Sequence, residues 1–182
     1  ITEFIICLGY KGYLIKEFFS NYTRHMSDMT INFNSNNVKF HETNVAPWKV
    51  TLVDTGLSTM TGGRIKQAES IIGDESFMLT YGDGVADIDI KKLQDFHNTH
   101  IGSITMTSAQ PDGRFGALDI DSDNKILEFK EKPKGDGSWV NAGFFICDPE
   151  VFSFISPDPQ TVFEQEPLQN LAIQNKLYTY KH

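Results

Sequence analysis

The chain is poor in cysteine and contains no long apolar stretch. Two cysteines occur in 182 residues, Cys7 and Cys147, and both lie in apolar runs typical of strands. Two buried, reduced thiols argue against a disulfide scaffold and favour a cytoplasmic protein. A membrane-spanning helix needs about 18 or more consecutive apolar residues, and no run approaches that length. We therefore expect no membrane partner.

Positive charge is also scarce: the chain has 16 Lys and Arg residues but 24 Asp and Glu residues, so its net charge is -8. Nucleic-acid binding needs a basic surface that neutralises phosphates, so nucleic acid is not an expected partner. A small anionic substrate is compatible with this charge, since a few local Lys or Arg residues overcome a distant negative field. The motifs Gly-x-Ser-x-Gly and Gly-x-Gly-x-x-Gly are both absent.

Strand-like apolar runs alternate with segments of helical periodicity along the entire chain. This alternation predicts an α/β fold with a Rossmann-like, doubly wound mixed sheet, mostly parallel, with an antiparallel hairpin portion. The length suits one domain over residues 1–182. Both ends fall in strand-like segments, so we expect this domain to be truncated at both ends. In such sheets ligands bind at the carboxyl ends of strands, which predicts that Gly9, Gly62-Gly63 and Asp83 share one edge.

The segment FMLTYGDGVADIDI, residues 77–90, places an acid between two glycines directly after an apolar strand. Glycines let the backbone approach a phosphate closely, and Mg2+ is commonly held by a carboxylate together with phosphate oxygens. Asp83 is therefore a candidate metal ligand. The other interpretation is a tight turn in which Asp83 bonds only to the backbone.

Asp87 and Asp89 follow in the same segment and resemble the Asp-x-Asp metal motif of glycosyltransferases. The alternative interpretation makes Asp89 the N-cap of the helix predicted over DIKKLQDFHNTH and leaves Asp87 solvated. That helix carries His97 and His100, three residues apart, and no third ligand is spaced to join them. We interpret both histidines as residues of the helix surface.

Two further clusters carry polar groups at the ends of predicted elements. Gly62, Gly63 and Arg64 open a predicted helix, where free amides and a guanidinium attract anions, although an ordinary glycine turn explains them as well. Glu131 and Lys132 directly precede Pro133 at the end of a predicted hairpin strand. A Glu can accept hydrogen bonds from sugar hydroxyls, and a neighbouring Lys can pair with a phosphate. An exposed charged turn is the competing explanation.

Seven segments in order resemble the sugar-1-phosphate nucleotidyltransferases, and the resemblance covers essentially the whole chain. They are CLGYKGYLIKEFF, VTLVDTGLSTMTGGRIK, LTYGDGVADIDI, GRFGALDI, FKEKPKGDG, NAGFF and FEQEPL. The resemblance implies an enzyme that makes CDP-glucose and pyrophosphate from CTP and α-D-glucose 1-phosphate, with Mg2+ as cofactor. It also implies a homo-oligomer whose product feeds the synthesis of bacterial surface polysaccharide such as the O-antigen of lipopolysaccharide.

The resemblance also assigns roles to individual residues. It makes Asp83 the catalytic metal-binding aspartate. The residues that match nucleotide-binding positions are Thr59, Gly63, Arg64 and Gly82. The residues that fall at sugar-phosphate-binding positions are Gly116, Glu131, Lys132 and Asn141.

The chain departs from the family pattern at both ends. The glycine-rich loop expected before Ile1 and a second metal-binding aspartate expected after His182 are absent. We therefore expect the full-length protein to be active and the 182-residue chain alone to be inactive. Two other functions stay open: an Asp-x-Asp nucleotide-sugar glycosyltransferase, and a sugar-nucleotide-binding module without turnover.

Overall fold

The computed structural model of the chain describes residues 1–111, 117–120, 122, 124–130 and 139–182. The chain divides into two compact units, each made of two segments. The first unit comprises Ile1–Ile72 and Ile155–Gln165, and the second comprises Gly73–Phe154 and Glu166–His182. The single domain predicted over residues 1–182 stays a prediction. Within the described residues, no helix combines the length and apolar character that crossing a membrane requires.

Strands and helices alternate along the chain, as the sequence predicts. The strands are β1 (Glu3–Leu8), β2 (Ser27–Asn32), β3 (Asn37–Thr43), β4 (Lys49–Asp54), β5 (Phe77–Thr80), β6 (Ile104–Ala109), β7 (Ala117–Ile120), β8 (Ile126–Lys130), β9 (Val140–Cys147) and β10 (Leu177–Lys181). The helices are α1 (Gly12–Ser20), α2 (Tyr22–His25), α3 (Thr61–Ile72), α4 (Ile90–His97) and α5 (Glu166–Ile173), with a 3-10 helix over Pro149–Phe154.

The first unit contains a parallel strand pair and an antiparallel hairpin. Strands β1 and β4 run parallel, with Leu8 opposite Asp54, so both strands end at the same edge. Helix α3 follows β4 and contacts β1. Strands β2 and β3 form the predicted hairpin, in which Asn36 adopts a left-handed conformation with a φ of 51°. Asparagine tolerates this conformation better than most residues, which explains its place in the turn.

The second unit is built on a four-stranded sheet in the order β10-β6-β9-β5. Strands β10 and β6 are parallel, and β9 is antiparallel to both of its neighbours. The inner strands carry fully buried side chains, among them Ile104 and Phe145, and Leu93 of α4 is buried as well. Burial of such side chains stabilises each by about 1.5–3 kcal/mol, so the inner strands are the most firmly held part of this unit.

The α/β class and the mixed sheet are confirmed, but strand orientation differs from the expectation. Among the described strands, two pairs are parallel and four are antiparallel. The sequence pattern predicts a mostly parallel sheet. A strand that is buried on both faces has the same apolar sequence pattern whether it runs parallel or antiparallel to its neighbour. Composition therefore does not reveal the relative direction of two strands.

Local signals at helix ends are confirmed. The Asp89 side chain accepts a hydrogen bond of 3.1 Å from the Lys92 amide, which makes it the N-cap of α4. Pro167 occupies the second position of α5, where its missing N–H removes no helical hydrogen bond. Pro149 begins the 3-10 helix.

Candidate active site

The first unit presents a loop, residues 55–60, between the end of β4 and the start of α3. Its first residue, Thr55, is buried and donates both its amide (2.9 Å) and its hydroxyl (2.8 Å) to the Leu8 carbonyl at the end of β1. The Gly56 amide donates to Asp54 Oδ1 at 3.1 Å, and Gly56 has a φ of 92°, which a side chain would strain. The loop is therefore anchored to both parallel strands.

The Arg64 guanidinium braces this loop from α3. Nη1 donates to the Leu8 carbonyl at 3.0 Å and to Thr55 Oγ1 at 2.5 Å, and Nη2 reaches the Leu57 carbonyl at 3.4 Å. Gly9 lies against the same group, because a Cβ there would stand 2.7 Å from Nη2. The expected proximity of Gly9 to the start of α3 is thus confirmed. Arg64 places positive charge at the loop while fixing its shape.

Thr59 is half-buried in the same loop, and its hydroxyl already has a hydrogen-bond acceptor. Oγ1 donates to the Thr55 carbonyl at 2.5 Å. A hydroxyl carries one proton and two lone pairs. Thr59 therefore offers an acceptor, and no further donor, to any group that approaches the loop.

The two glycines at the start of α3 pack against a segment about a hundred residues later in the chain. A Cβ at Gly62 would lie 2.9 Å from the Thr161 carbonyl oxygen, and one at Gly63 would lie 2.8 Å from that of Pro159. The Gly63 amide donates to the Thr161 carbonyl at 3.2 Å. The sequence suggests free amides here, but the structure shows that the Gly63 amide is used inside the chain. Its nucleotide-binding role stays a prediction.

Asp83 lies in the second unit, in the turn that follows β5. Its carboxylate is exposed and forms no hydrogen bond or ion pair with any described residue. A Cβ added at Gly82 or Gly84 would meet no described atom within 4 Å, and neither glycine has a positive φ. Neither contacts with described residues nor backbone strain accounts for glycine at these two positions.

Asn141 lies near the same turn, at the start of β9. Its Oδ1 accepts from the Gly143 amide at 2.8 Å, and its Nδ2 donates to the Tyr81 hydroxyl at 3.2 Å. Tyr81 directly precedes Gly82 in the chain. The structure therefore brings Asn141 and the Asp83 turn into the same part of the second unit, connected through Tyr81.

Asp87 and Asp89 have the roles that the second interpretation predicts. Asp89 caps α4 and pairs with Lys92 Nζ at 3.2 Å. The Lys92 amide and side chain hold the pKa of the Asp89 carboxyl below its usual range. The Asp87 side chain is fully solvated apart from a 3.2 Å contact between its Oδ1 and Nε2 of His182. Asp89 is thus a helix cap, and Asp87 is a surface residue.

The sequence interpretation that places His97 and His100 on the helix surface is wrong. His97 is buried, with 7% of its surface exposed, and His100 lies beyond the end of α4. Thr105 on β6 joins them, because its Oγ1 lies 2.8 Å from Nδ1 of His97 and 2.7 Å from Nε2 of His100. Periodicity could not reveal this pairing, since it depends on where β6 packs against α4.

The protons in this cluster are fixed by its donors. The Gly102 amide donates to Nδ1 of His100 at 3.1 Å, so that nitrogen is unprotonated and Nε2 donates to Thr105. The Thr105 proton then points to Nδ1 of His97, whose Nε2 lies 3.4 Å from Asp148 Oδ1. Burial, and next the neighbouring His97, lower the pKa of His100 below its ordinary value. The hydrogen bonds therefore favour the His100 tautomer that is protonated at Nε2.

Both cysteines are free, as predicted, and the Cys7 thiol lies 3.7 Å from the backbone carbonyl oxygen of Arg64. Cys147 is fully buried, and burial raises the pKa of its thiol far above the ordinary value. Cys7 is half-buried, and burial raises the pKa of its thiol despite the opposing charge of Arg64. Thiolate chemistry is therefore disfavoured at both positions.

Three predicted sugar-phosphate residues, Gly116, Glu131 and Lys132, lie outside the described residues. Of the others, Thr59, Gly63 and Arg64 belong to the first unit and meet in one loop and helix start. Gly82, Asp83 and Asn141 belong to the second unit, where Gly82 and Asp83 follow Tyr81 and Asn141 is hydrogen-bonded to Tyr81. Tyr81 is the residue that the sequence interpretation missed, because its hydrogen bond to Asn141 spans 60 residues.

The class of the protein follows from comparison with known proteins. The nucleotidyl transferase family model matches residues 12–180. A solved structure of HddC from Yersinia pseudotuberculosis shares the fold with a TM-score of 0.61 at 20% identity, covering 100% of this chain and 70% of that one. The chain therefore belongs to the nucleotidyl transferase family.

Within that family, the similarity to particular relatives is much higher. The chain is 54% identical over 183 residues to glucose-1-phosphate cytidylyltransferase of Salmonella typhi and equally to that of Salmonella typhimurium. Each alignment covers 100% of this chain and 70% of the relative. The resemblance found in the sequence motifs is confirmed.

Proposed function

We propose that this protein transfers a cytidylyl group from CTP to α-D-glucose 1-phosphate, giving CDP-glucose and pyrophosphate. The observation that carries the proposal is the 54% identity over the whole chain to cytidylyltransferases of that name. The exposed carboxylate of Asp83 and the fixed amide of Asn141 at the ends of β5 and β9 support it.

The reaction is a displacement at phosphorus. A phosphate oxygen of the sugar phosphate attacks the α-phosphorus of CTP, and a new phosphorus–oxygen bond forms. The bond from the α-phosphorus to the oxygen that bridges to the β-phosphorus breaks, and its electron pair leaves with pyrophosphate. The protein contributes positioning and charge neutralisation and needs no covalent intermediate.

We propose Mg2+ as the cofactor and Asp83 as its protein ligand. Mg2+ is commonly bound through one or two carboxylates together with substrate phosphates and water, and Asp83 offers an exposed carboxylate without a partner among the described residues. In the part of the chain that the structure describes, no group of three or more His, Cys, Asp and Glu side chains forms a metal site. Bound Mg2+ would neutralise charge on the phosphates of the substrates.

The glycines beside Asp83 support the approach of a ligand to this turn. Neither Gly82 nor Gly84 is required by packing against described residues or by a positive φ. A missing Cβ lets a backbone approach a phosphate closely. We therefore assign Gly82 to the nucleotide side of the site.

We assign Thr59 to the nucleotide side of the site by the family resemblance. Its proton is donated to the Thr55 carbonyl, so Oγ1 can only accept a hydrogen bond from a ligand. The Arg64 guanidinium holds the loop in this form and supplies positive charge near the nucleotide.

Other parts of the proposal rest on the family resemblance. They assign Gly116, Glu131, Lys132 and Asn141 to the hexose and its phosphate. They also make the protein a cytoplasmic homo-oligomer whose CDP-glucose serves the synthesis of bacterial surface polysaccharide, including lipopolysaccharide O-antigen.

The test is pyrophosphate release by the intact protein with CTP, UTP, dTTP and GTP, each offered with glucose 1-phosphate and other sugar phosphates. We expect CTP with glucose 1-phosphate to have the highest kcat/KM. Asp83→Asn should lower kcat/KM by about 100-fold or more, because it removes the charge that holds the metal. Asp87→Asn is the matched control, an acid in the same exposed loop, and should leave the rate unchanged.

Two outcomes would contradict this proposal. Loss of activity in Asp87→Asn with normal activity in Asp83→Asn would favour the Asp-x-Asp glycosyltransferase, and tight nucleotide binding without turnover would favour a binding module. The same assay on the 182-residue chain alone tests the expectation that it is inactive. Turnover by that chain would refute the expectation.

A further inference from the structure

Tyr81 occupies the position between the candidate metal ligand and the candidate sugar ligand. It follows the last residue of β5, and its ring packs edge-on against Phe145 with centroids 5.9 Å apart. Its hydroxyl accepts a hydrogen bond of 3.2 Å from Asn141 Nδ2. The next two residues along the chain are Gly82 and Asp83. One side chain thus connects the turn that carries Asp83 with the amide of Asn141.

Gly143 shows that the place of the Tyr81 ring is built into the backbone. Gly143 is buried and has a φ of 83°, which side chains rarely adopt. A Cβ at this position would stand 2.7 Å from Cδ2 of Tyr81. The strand β9 therefore leaves a space that the Tyr81 ring covers, and the ring cannot keep its position if residue 143 has a side chain.

The orientation of the Asn141 amide is fixed by an obligatory donor. The Gly143 amide can only donate, so the atom that it contacts at 2.8 Å must be the oxygen of Asn141 and not the nitrogen. The nitrogen then faces the Tyr81 hydroxyl. Apart from these contacts with described residues, one N–H and one lone pair of the Asn141 amide remain for other partners. This pair of groups matches the hydroxyls of a sugar, which donate and accept, better than a phosphate, which only accepts.

We propose that Tyr81 is a positioning residue for sugar recognition: it holds the Asn141 amide so that its free N–H and carbonyl face the hydroxyls of the hexose. The inference rests on the proposed function and refines it. Tyr81 acts through Asn141 and does not touch the reacting phosphorus. Its loss therefore weakens the binding of the sugar phosphate and leaves the binding of the nucleotide unchanged.

The first experiment is steady-state kinetics of the intact protein carrying Tyr81→Phe, which removes only the hydroxyl. We expect the KM for glucose 1-phosphate to rise about three- to ten-fold, the range of one net hydrogen bond, while the KM for CTP stays within about two-fold. Tyr180→Phe is the matched control, a half-buried tyrosine of the same unit whose ring packs on Phe96. It should change neither KM. An equal rise in both KM values for Tyr81→Phe would overturn the proposal.

A double-mutant cycle separates positioning from a merely structural effect. If Tyr81 acts through Asn141, then Tyr81→Phe should add no further rise in KM to a protein that already carries Asn141→Ala. Independent and additive effects of the two substitutions would refute the proposal.

A third measurement does not depend on turnover. The side-chain amide signal of Asn141 in a 1H–15N NMR spectrum should move in Tyr81→Phe and stay in place in Tyr180→Phe. An unmoved signal in Tyr81→Phe refutes the positioning role even if the enzyme is active. Absence of turnover in the unsubstituted intact protein refutes the proposed function instead, so the two failures are distinguishable.

Discussion

Gly63→Ala tests whether the start of α3 is held by close backbone packing. The added Cβ would lie 2.8 Å from the Pro159 carbonyl oxygen, 2.9 Å from Pro159 Cα and 2.9 Å from Cγ2 of Thr59. Two of these three atoms belong to backbone, so no rotation of a side chain relieves the contact. The segment around Pro159 or the helix start must move outward by about half an ångström or more.

The cost follows from two opposing effects. Forcing an extra carbon into a packed site costs about 1–3 kcal/mol, and the better helix propensity of alanine returns up to about 1 kcal/mol. We therefore expect the free energy of unfolding to fall by about 1–2 kcal/mol. Because the methyl of Thr59 is one of the atoms displaced, the KM for CTP should also rise while that for glucose 1-phosphate changes less.

The assay is urea unfolding of the intact protein, with the slope of the transition compared between variants. Gly84→Ala is the stability control, since its Cβ would meet no described atom within 4 Å and its φ is not positive. It should change the free energy of unfolding by less than about 0.5 kcal/mol. A Gly63→Ala protein as stable as the unsubstituted one would show that the packing argument is wrong.

Two further predictions concern the histidine cluster. Thr105→Val leaves buried Nδ1 of His97 without its hydrogen bond and should cost about 1–3 kcal/mol in urea unfolding. Thr107 is equally buried on the same strand, and among the described residues its hydroxyl bonds to the Phe144 carbonyl, so Thr107→Val should lower the free energy of unfolding by less. Equal losses in the two variants would contradict the role of Thr105 as the link between the two histidines. Folding lowers the pKa of His100, so below the ordinary pKa of 6.5 the unfolded chain binds more protons than the folded protein does. The contribution of His100 to stability is therefore complete above that pH and is lost as pH falls through the folded-state pKa. His100→Gln should flatten the dependence of unfolding free energy on pH below about 6.5, and an unchanged slope would refute this assignment.

Features that depend on a few neighbouring residues could be predicted from the sequence. The cap at Asp89, the proline in the first turn of α5 and the turn at Asn36 each follow from local backbone chemistry. The exposed position of Asp83 after a strand is of the same kind. Each signal lies within a few residues of the structure that it predicts.

Features that depend on distant packing could not be predicted in this way. The burial of His97 is set by Thr105 of β6 and Asp148, and the pairing of Tyr81 with Asn141 is set by the register of β5 and β9. Histidine counts as a polar residue in the pattern of an amphipathic helix, so the helical periodicity alone predicts that it is exposed to solvent. The sequence leaves an anion site and an ordinary glycine turn both open at the start of α3, because the partners that the two glycines pack against lie about a hundred residues away.

The attachment of residues 58–63 to residues 159–164 has a consequence for how the protein is made. Five hydrogen bonds join the two segments: Met60 to Pro159, Gly63 to Thr161, Gln160 to Ser58, and Thr61 to both Phe163 and Glu164. On the ribosome, residues 55–64 emerge long before these partners do. The region that carries Thr59 and Arg64 is therefore completed late in synthesis, after strands β5 to β9 have been synthesised. Until then Gly62 and Gly63 lack the backbone of residues 159–163 that they pack against, and this region is open to proteases and chaperones.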